Sequence, residues 1–217
     1  MIDPASINLP QFLANWHGPA NVPPGTLPAE CDWLPESLKE WHSLSAQWST
    51  PLMGMKRMLA PEEVKAEDGK AVFMEDATGD WRWAFDTENP NITYDAEVYE
   101  EWERTTESLP QLIVHSAVQE AVFRARAQYW CTQLEEQLLG DVLAPLEEVA
   151  FGDWRWPAPG YRIFMSENVV ADVVPTRGRT TQEDRAGFVQ VQAASPDPRH
   201  LSYLDEIPGA QWRKSTS

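Results

Sequence analysis

The chain has 217 residues, 42% hydrophobic and 24% charged, which excludes a disordered chain of low hydrophobicity and allows a sizeable core. Its formal net charge of −17, from 17 Lys and Arg against 34 Asp and Glu, disfavours nucleic acid and anionic membranes as direct partners. Both are held by clustered cations, and no basic grouping here is longer than two residues, as in Arg177 with Arg179.

In chain order, the first expected element is a short helix within Asp3 to Trp16, with Ile7, Leu9, Phe12, Leu13 and Trp16 on one face and Pro10 limiting it. A Pro/Gly-rich connector runs from Gly18 to Pro28. Leu34, Leu38, Trp41 and Leu44 then recur at spacings of four and three, with Pro35 and Glu36 at the entry, and predict an amphipathic helix. Pro61-Glu-Glu-Val64 reads as another helical turn, ended by Gly69. Lys70 to Glu75 and Asp80 to Asp86 read as a β-hairpin turning at Asp76-Ala-Thr-Gly79, because Trp81, Trp83 and Phe85 alternate with Arg82, Ala84 and Asp86.

A short strand is expected from Ala96 to Trp102. Ser108 with Gln111 forms a capping-box signature, opening a helix whose stripe runs through Leu112, Val118, Val122, Ala125, Tyr129, Leu134 and Leu138, with Gly140 as its C-cap. From Phe151 the pattern is β, with strands at Tyr161–Met165, Val169–Val174 and Gly187–Ala193. The polar stretch Thr176 to Ala186 is expected to be a mobile loop, and Trp212 to Ser217 an exposed tail. One domain over 1–217 is expected, with its core at about 30–210 and an N-terminal extension over 1–29. The pentapeptide Gly79-Asp-Trp-Arg-Trp83 recurs at Gly152–Trp156, which is read as strand composition and not as a duplication.

The charge is uneven. Positions 1–110 hold 20 acids and 7 bases, against 14 and 10 in 111–217. Between Glu75 and Glu107 a dense series of carboxylates is answered only by Arg82 and Arg104. Such a field favours basic partners.

Catalytic and metal signatures are missing from the sequence. His17, His42, His115 and His200 lack metal-ligand spacing, and Cys31 and Cys131 stand alone, which suits a reduced interior. There is no GxSxG elbow, P-loop or GxGxxG. Carboxylate pairs such as Asp76 with Asp80 or Glu97 with Glu101, together with 11 Trp, leave a Trp-rich carbohydrate-binding module or a glycosidase as a weaker alternative. Met1 to Pro10 has no basic start and no apolar run of about 7–15 residues, and no stretch approaches the ~20 apolar residues of a membrane span, so a cytoplasmic location is expected.

Leu34-Pro-Glu-Ser-Leu-Lys-Glu-Trp-His-Ser-Leu-Ser45, Val72-Phe-Met-Glu-Asp-Ala-Thr-Gly-Asp-Trp-Arg-Trp-Ala-Phe85, Val98-Tyr99, Trp102 and Ser108-Leu-Pro-Gln-Leu-Ile113 together resemble the SUKH superfamily of Smi/Knr-type proteins. The resemblance covers about residues 33–125. It departs at Ala46-Gln-Trp48, where most members carry a glycine pair, and at Asp95-Ala-Glu97, where they carry Asp-Pro. It implies an α+β fold with a mixed, mainly antiparallel sheet partly wrapped by helices, no enzyme activity and no cofactor. Bacterial members are commonly immunity proteins that neutralise a cognate protein toxin, and fungal relatives are regulatory interaction proteins. The expected partner is therefore a toxin with a basic surface, such as a nuclease, with a regulatory or scaffold role as the alternative. The expected contact surface is an acidic rim of Asp76, Asp80, Glu88, Asp95, Glu97, Glu100, Glu101 and Glu103, with Tyr99 or Trp102 as the aromatic anchor.

Overall fold

The computed structural model describes residues 1–177 and 184–216. It is an α+β protein whose strands form two sheets, and every ladder between named strands is antiparallel. The chain divides into two compact units, an N-terminal one of Ile7–Glu120 and a C-terminal one of Ala121–Ser217 joined by Met1–Ser6.

In the N-terminal unit, α1 (Leu9–His17) starts where the Asn8 side chain accepts the Gln11 N–H at 3.1 Å. Pro10 fits in the first turn, where its missing N–H costs nothing. The helix buries Phe12, Leu13 and Trp16, so the segment expected to be an extension supplies core residues. Helix α2 (Glu36–Ser45) buries Leu38 and Trp41, as its spacing requires.

The sheet comprises β1 (Lys56–Met58), β2 (Lys65–Glu67), β3 (Lys70–Asp76), β4 (Trp81–Asp86), β5 (Thr93–Glu97) and β6 (Glu103–Arg104). Its order is β1-β3-β4-β5-β6, with β2 also pairing β3. The helical turn expected at Pro61 is a single turn only. After it the chain enters β2, because Asp68 and Gly69, with φ of 48° and 76°, have the two positive values of a tight hairpin turn. At the centre of β4, Trp83, Ala84 and Phe85 are all buried, so both sheet faces are covered there. Phe73 and Phe85 pack at 6.1 Å between ring centroids.

Helix α3 (Leu109–Arg124) opens with the Ser108 N–H donating to Gln111 Oε1 at 3.0 Å, half of the expected capping box. It ends at Arg124, not near Gly140. Tyr129 and Leu134 belong to β7 (Ala127–Glu135), where Ala127, Tyr129 and Cys131 point to one side at period two. Pairing with distant strands overrides the helical spacing.

The C-terminal unit continues with α4 (Leu139–Leu143), β8 (Glu147–Glu148), β9 (Arg162–Met165), β10 (Val170–Arg177), β11 (Asp184–Ser195) and β12 (Arg213–Thr216). The sheet order is β12-β7-β11-β10-β9-β8. One sheet face joins Val142 of α4 and Leu201 and Leu204 of the 3-10 segment Pro198–Glu206 in a core with Tyr129, Val173 and Val191. Most of the expected tail is thus edge strand β12. Of the expected loop, 178–183 lies outside the described residues.

Candidate functional site

The start of β4 lies beside the end of β5, since Trp81 pairs with Glu97 and the Val98 N–H donates to the Asp80 carbonyl at 2.7 Å. This register brings the β3–β4 turn and the β5–β6 turn to one end of the N-terminal sheet. Asp80, Glu97, Tyr99, Glu100, Glu101, Trp102 and Glu103 gather there. Glu88 does not. It sits in the β4–β5 loop, beyond the far end of a six-residue strand, ~20 Å away.

Tyr99 forms the tip. The Glu100 N–H donates to the Glu97 carbonyl at 3.0 Å, closing a four-residue turn with Tyr99 in its third position at φ +74°. A type II turn needs a positive φ at that position and ordinarily takes glycine. Placing a tyrosine there costs roughly 1–2 kcal/mol, and the ring gains no packing in return, being 99% exposed. Strain retained without a folding benefit is a mark of a functional position.

Glu97, Glu100, Glu101 and Glu103 are exposed around this tip, and among the described residues Glu97, Glu100 and Glu101 make no ion pair. Trp102 is half-buried under the Arg82 guanidinium, 5.0 Å from its ring centroid, so it braces the turn more than it projects from it. Of the two aromatics expected as anchors, Tyr99 is the accessible one.

Two expected rim residues are internal. Asp76 is 8% exposed and organises the β3–β4 turn, accepting the Thr78 hydroxyl at 2.6 Å and the Trp81 N–H at 2.9 Å. Burial pushes its carboxyl up, but these hydrogen bonds and those from the Asp80 and Thr78 amides outweigh it and hold the group below the usual Asp value. Asp95 is 5% exposed within β5. Neither can meet a partner directly. Glu107, at the end of the acidic series, is also buried and lies 3.0 Å from Nδ1 of His115.

A buried polar cluster in the same unit has no sequence signature. Lys56 of β1 donates to Gln119 Oε1, and Oε2 of Glu120 accepts the Gly54 and Met55 amides at 2.6 and 3.0 Å. Burial drives the Lys56 ammonium down to about 7, against the pull of Glu120 and Glu107. Burial likewise lowers His115, opposed by Glu107 and reinforced by Lys56. A lysine in Met53-Gly-Met-Lys-Arg-Met58 gives no alternation that marks it as internal. Among the described residues no group of three or more His, Cys, Asp or Glu is placed to hold a metal ion, and no helix is long and apolar enough to cross a membrane.

Comparison with protein-family models, with characterised proteins and with solved structures found no match to this chain.

Proposed function

We propose that this protein is an immunity protein, binding and neutralising a basic protein toxin through the acidic β5–β6 turn. One observation carries the reading: Tyr99, fully exposed and held at φ +74°, stands among four exposed glutamates. An aromatic anchor ringed by charge suits a protein interface, where tyrosines carry much of the binding energy and the surrounding charge accelerates encounter. The SUKH-like motifs at Leu34–Ser45 and Val72–Phe85 support the same reading. Neutralisation then needs no chemistry from this chain. The carboxylates occupy the basic surface on which the toxin would engage its own substrate.

The test begins with the neighbouring genes, where a large reading frame with a C-terminal toxin domain is expected, and continues with co-expression of that domain, reading growth rescue and co-purification. Tyr99→Ala should weaken the complex by at least about 2 kcal/mol, roughly thirtyfold. Co-purification without growth rescue would favour a regulatory or scaffold role, and a Tyr99→Ala protein with undiminished affinity would dismiss this surface.

A further inference from the structure

The N-terminal unit contains an open groove of ≈ 450 Å³ whose walls come from three helices. Leu9 stands at the start of α1, Trp41 and Leu44 on α2, and Ile113 and Val114 on the first turns of α3. Trp41 and Ile113 are buried beneath it, whereas Leu9, Leu44 and Val114 are half-buried, so some apolar surface is left facing water where it could be covered. The polar groups on the lining are Asn8, Ser37 and Glu40, and no Lys or Arg lines it. Glu40 is exposed and, among the described residues, makes no ion pair.

The charge around this groove selects the occupant. The unit that holds it carries 20 acids and 7 bases, a net −13. A second copy of the unit would bring the same −13 and be repelled, and an anionic membrane is disfavoured on the same ground. A positively charged partner gains both the field and the Glu40 carboxylate. Pro10 and Pro110 fix the entry turns of two of the walls, so the groove is preformed and binding requires little ordering of the protein. We infer that this groove receives the apolar stripe of a cationic amphipathic helix from another protein. Large apolar side chains spaced at i, i+3, i+4 and i+7 seat against Leu9, Leu44 and Val114, and a flanking Lys or Arg pairs with Glu40. The inference does not rest on the Tyr99 turn.

The probe is a fluorescent peptide of about 18 residues, five helical turns, made of Leu and Lys with one apolar stripe. A scrambled peptide of equal composition and a Leu/Glu counterpart serve as controls. Anisotropy is measured in about 0.3 M salt, where screening falls to roughly 5–6 Å and non-specific attraction is suppressed. The striped Leu/Lys peptide should bind at least tenfold tighter than either control and shift the methyl resonances of Ile7, Leu9, Leu44, Ile113 and Val114 in the unaltered protein. Leu44→Asp should weaken it at least tenfold, while reversing Glu97, Glu100 and Glu101 to Lys leaves it within about twofold. Equal binding of the scrambled peptide, methyl shifts elsewhere, or concentration-dependent self-association through this face would overturn the proposal. The methyl map needs no variant, so misfolding of Leu44→Asp cannot mask the answer.

Discussion

Asp172 makes the stability of the C-terminal unit fall with rising pH, and Asp172→Asn should remove that dependence. The carboxylate sits fully inside the unit on β10, accepting the Tyr161 hydroxyl at 2.8 Å, with Ile163 and Gln192 as its cross-strand neighbours. Burial raises its pKa from 3.8 to about 7, and the hydrogen bonds from Tyr161 and the Gln192 amide offset this only in part. Between those values the folded protein holds a proton that the unfolded chain has released. Stability therefore falls as pH rises across that window and levels off above it. A shift of that size corresponds to an upper bound of about 4 kcal/mol at 1.36 kcal/mol per pH unit. The amide of the variant keeps an acceptor for Tyr161 and cannot ionise. Asp172→Asn should match the wild type near pH 4 and exceed it by about 2–4 kcal/mol at pH 8. Urea unfolding followed on the Ile163 methyl resonance measures this, and the difference between the two proteins cancels the contribution of the other carboxylates. An Asp172→Asn protein less stable than wild type at pH 8 would refute the reasoning, since it would mean that the ionised carboxylate is favourably held.

Lys56 gives the opposite sign in the N-terminal unit: with its pKa lowered from 10.5 to about 7, the unfolded chain binds more protons over that range and stability rises with pH. Lys56→Met should flatten that rise, read on Ile113, and an unchanged slope would mean that the lysine titrates normally. Tyr99→Gly should relieve the positive-φ cost and, after glycine's own entropy, leave the unit between unchanged and about 1 kcal/mol more stable while weakening the proposed toxin complex at least about thirtyfold. A loss of stability in a urea melt would show that the ring packs after all. Reversing Glu97, Glu100, Glu101 and Glu103 to Lys should slow association with a basic partner at least tenfold in low salt and flatten its salt dependence. Stopped-flow rates that do not change would remove this patch from the interface.

The elements legible in the sequence are those written by local chemistry. Leu34 to Leu44 repeats at helical spacing behind a proline, Trp83 and Phe85 alternate after a Gly79 turn, and Ser108 with Gln111 spells a helix start. Tyr129 misleads because Val122, Ala125 and Tyr129 fit a helix as well as Ala127, Tyr129 and Cys131 fit a strand, and the choice is made by β11 and β12 far along the chain. The Asp68-Gly69 hairpin signal is present in the sequence but masked by the helix-like Pro61-Glu-Glu before it. Within the candidate site, composition locates the acidic turn but not its sorting. Asp76 and Asp95 are as acidic on paper as Glu97 and Glu100, but Asp76 is drawn inward by the Thr78 hydroxyl and the Trp81 amide and Asp95 lies inside β5, whereas Glu97 ends that strand and Glu100 lies in the turn beyond it.

Strand β12 covers one side of β7 from Ala127 to Trp130 with only four residues, Arg213 to Thr216, whose side chains are all exposed. Its hold on the protein is a ladder of main-chain bonds and the Lys214 ammonium, which pairs with Asp205 and lies over the Tyr129 ring, with little apolar anchoring. Removing those four residues would uncover the flank of a nine-residue strand carrying Tyr129 and Trp130, an open template on which other chains can add and aggregate.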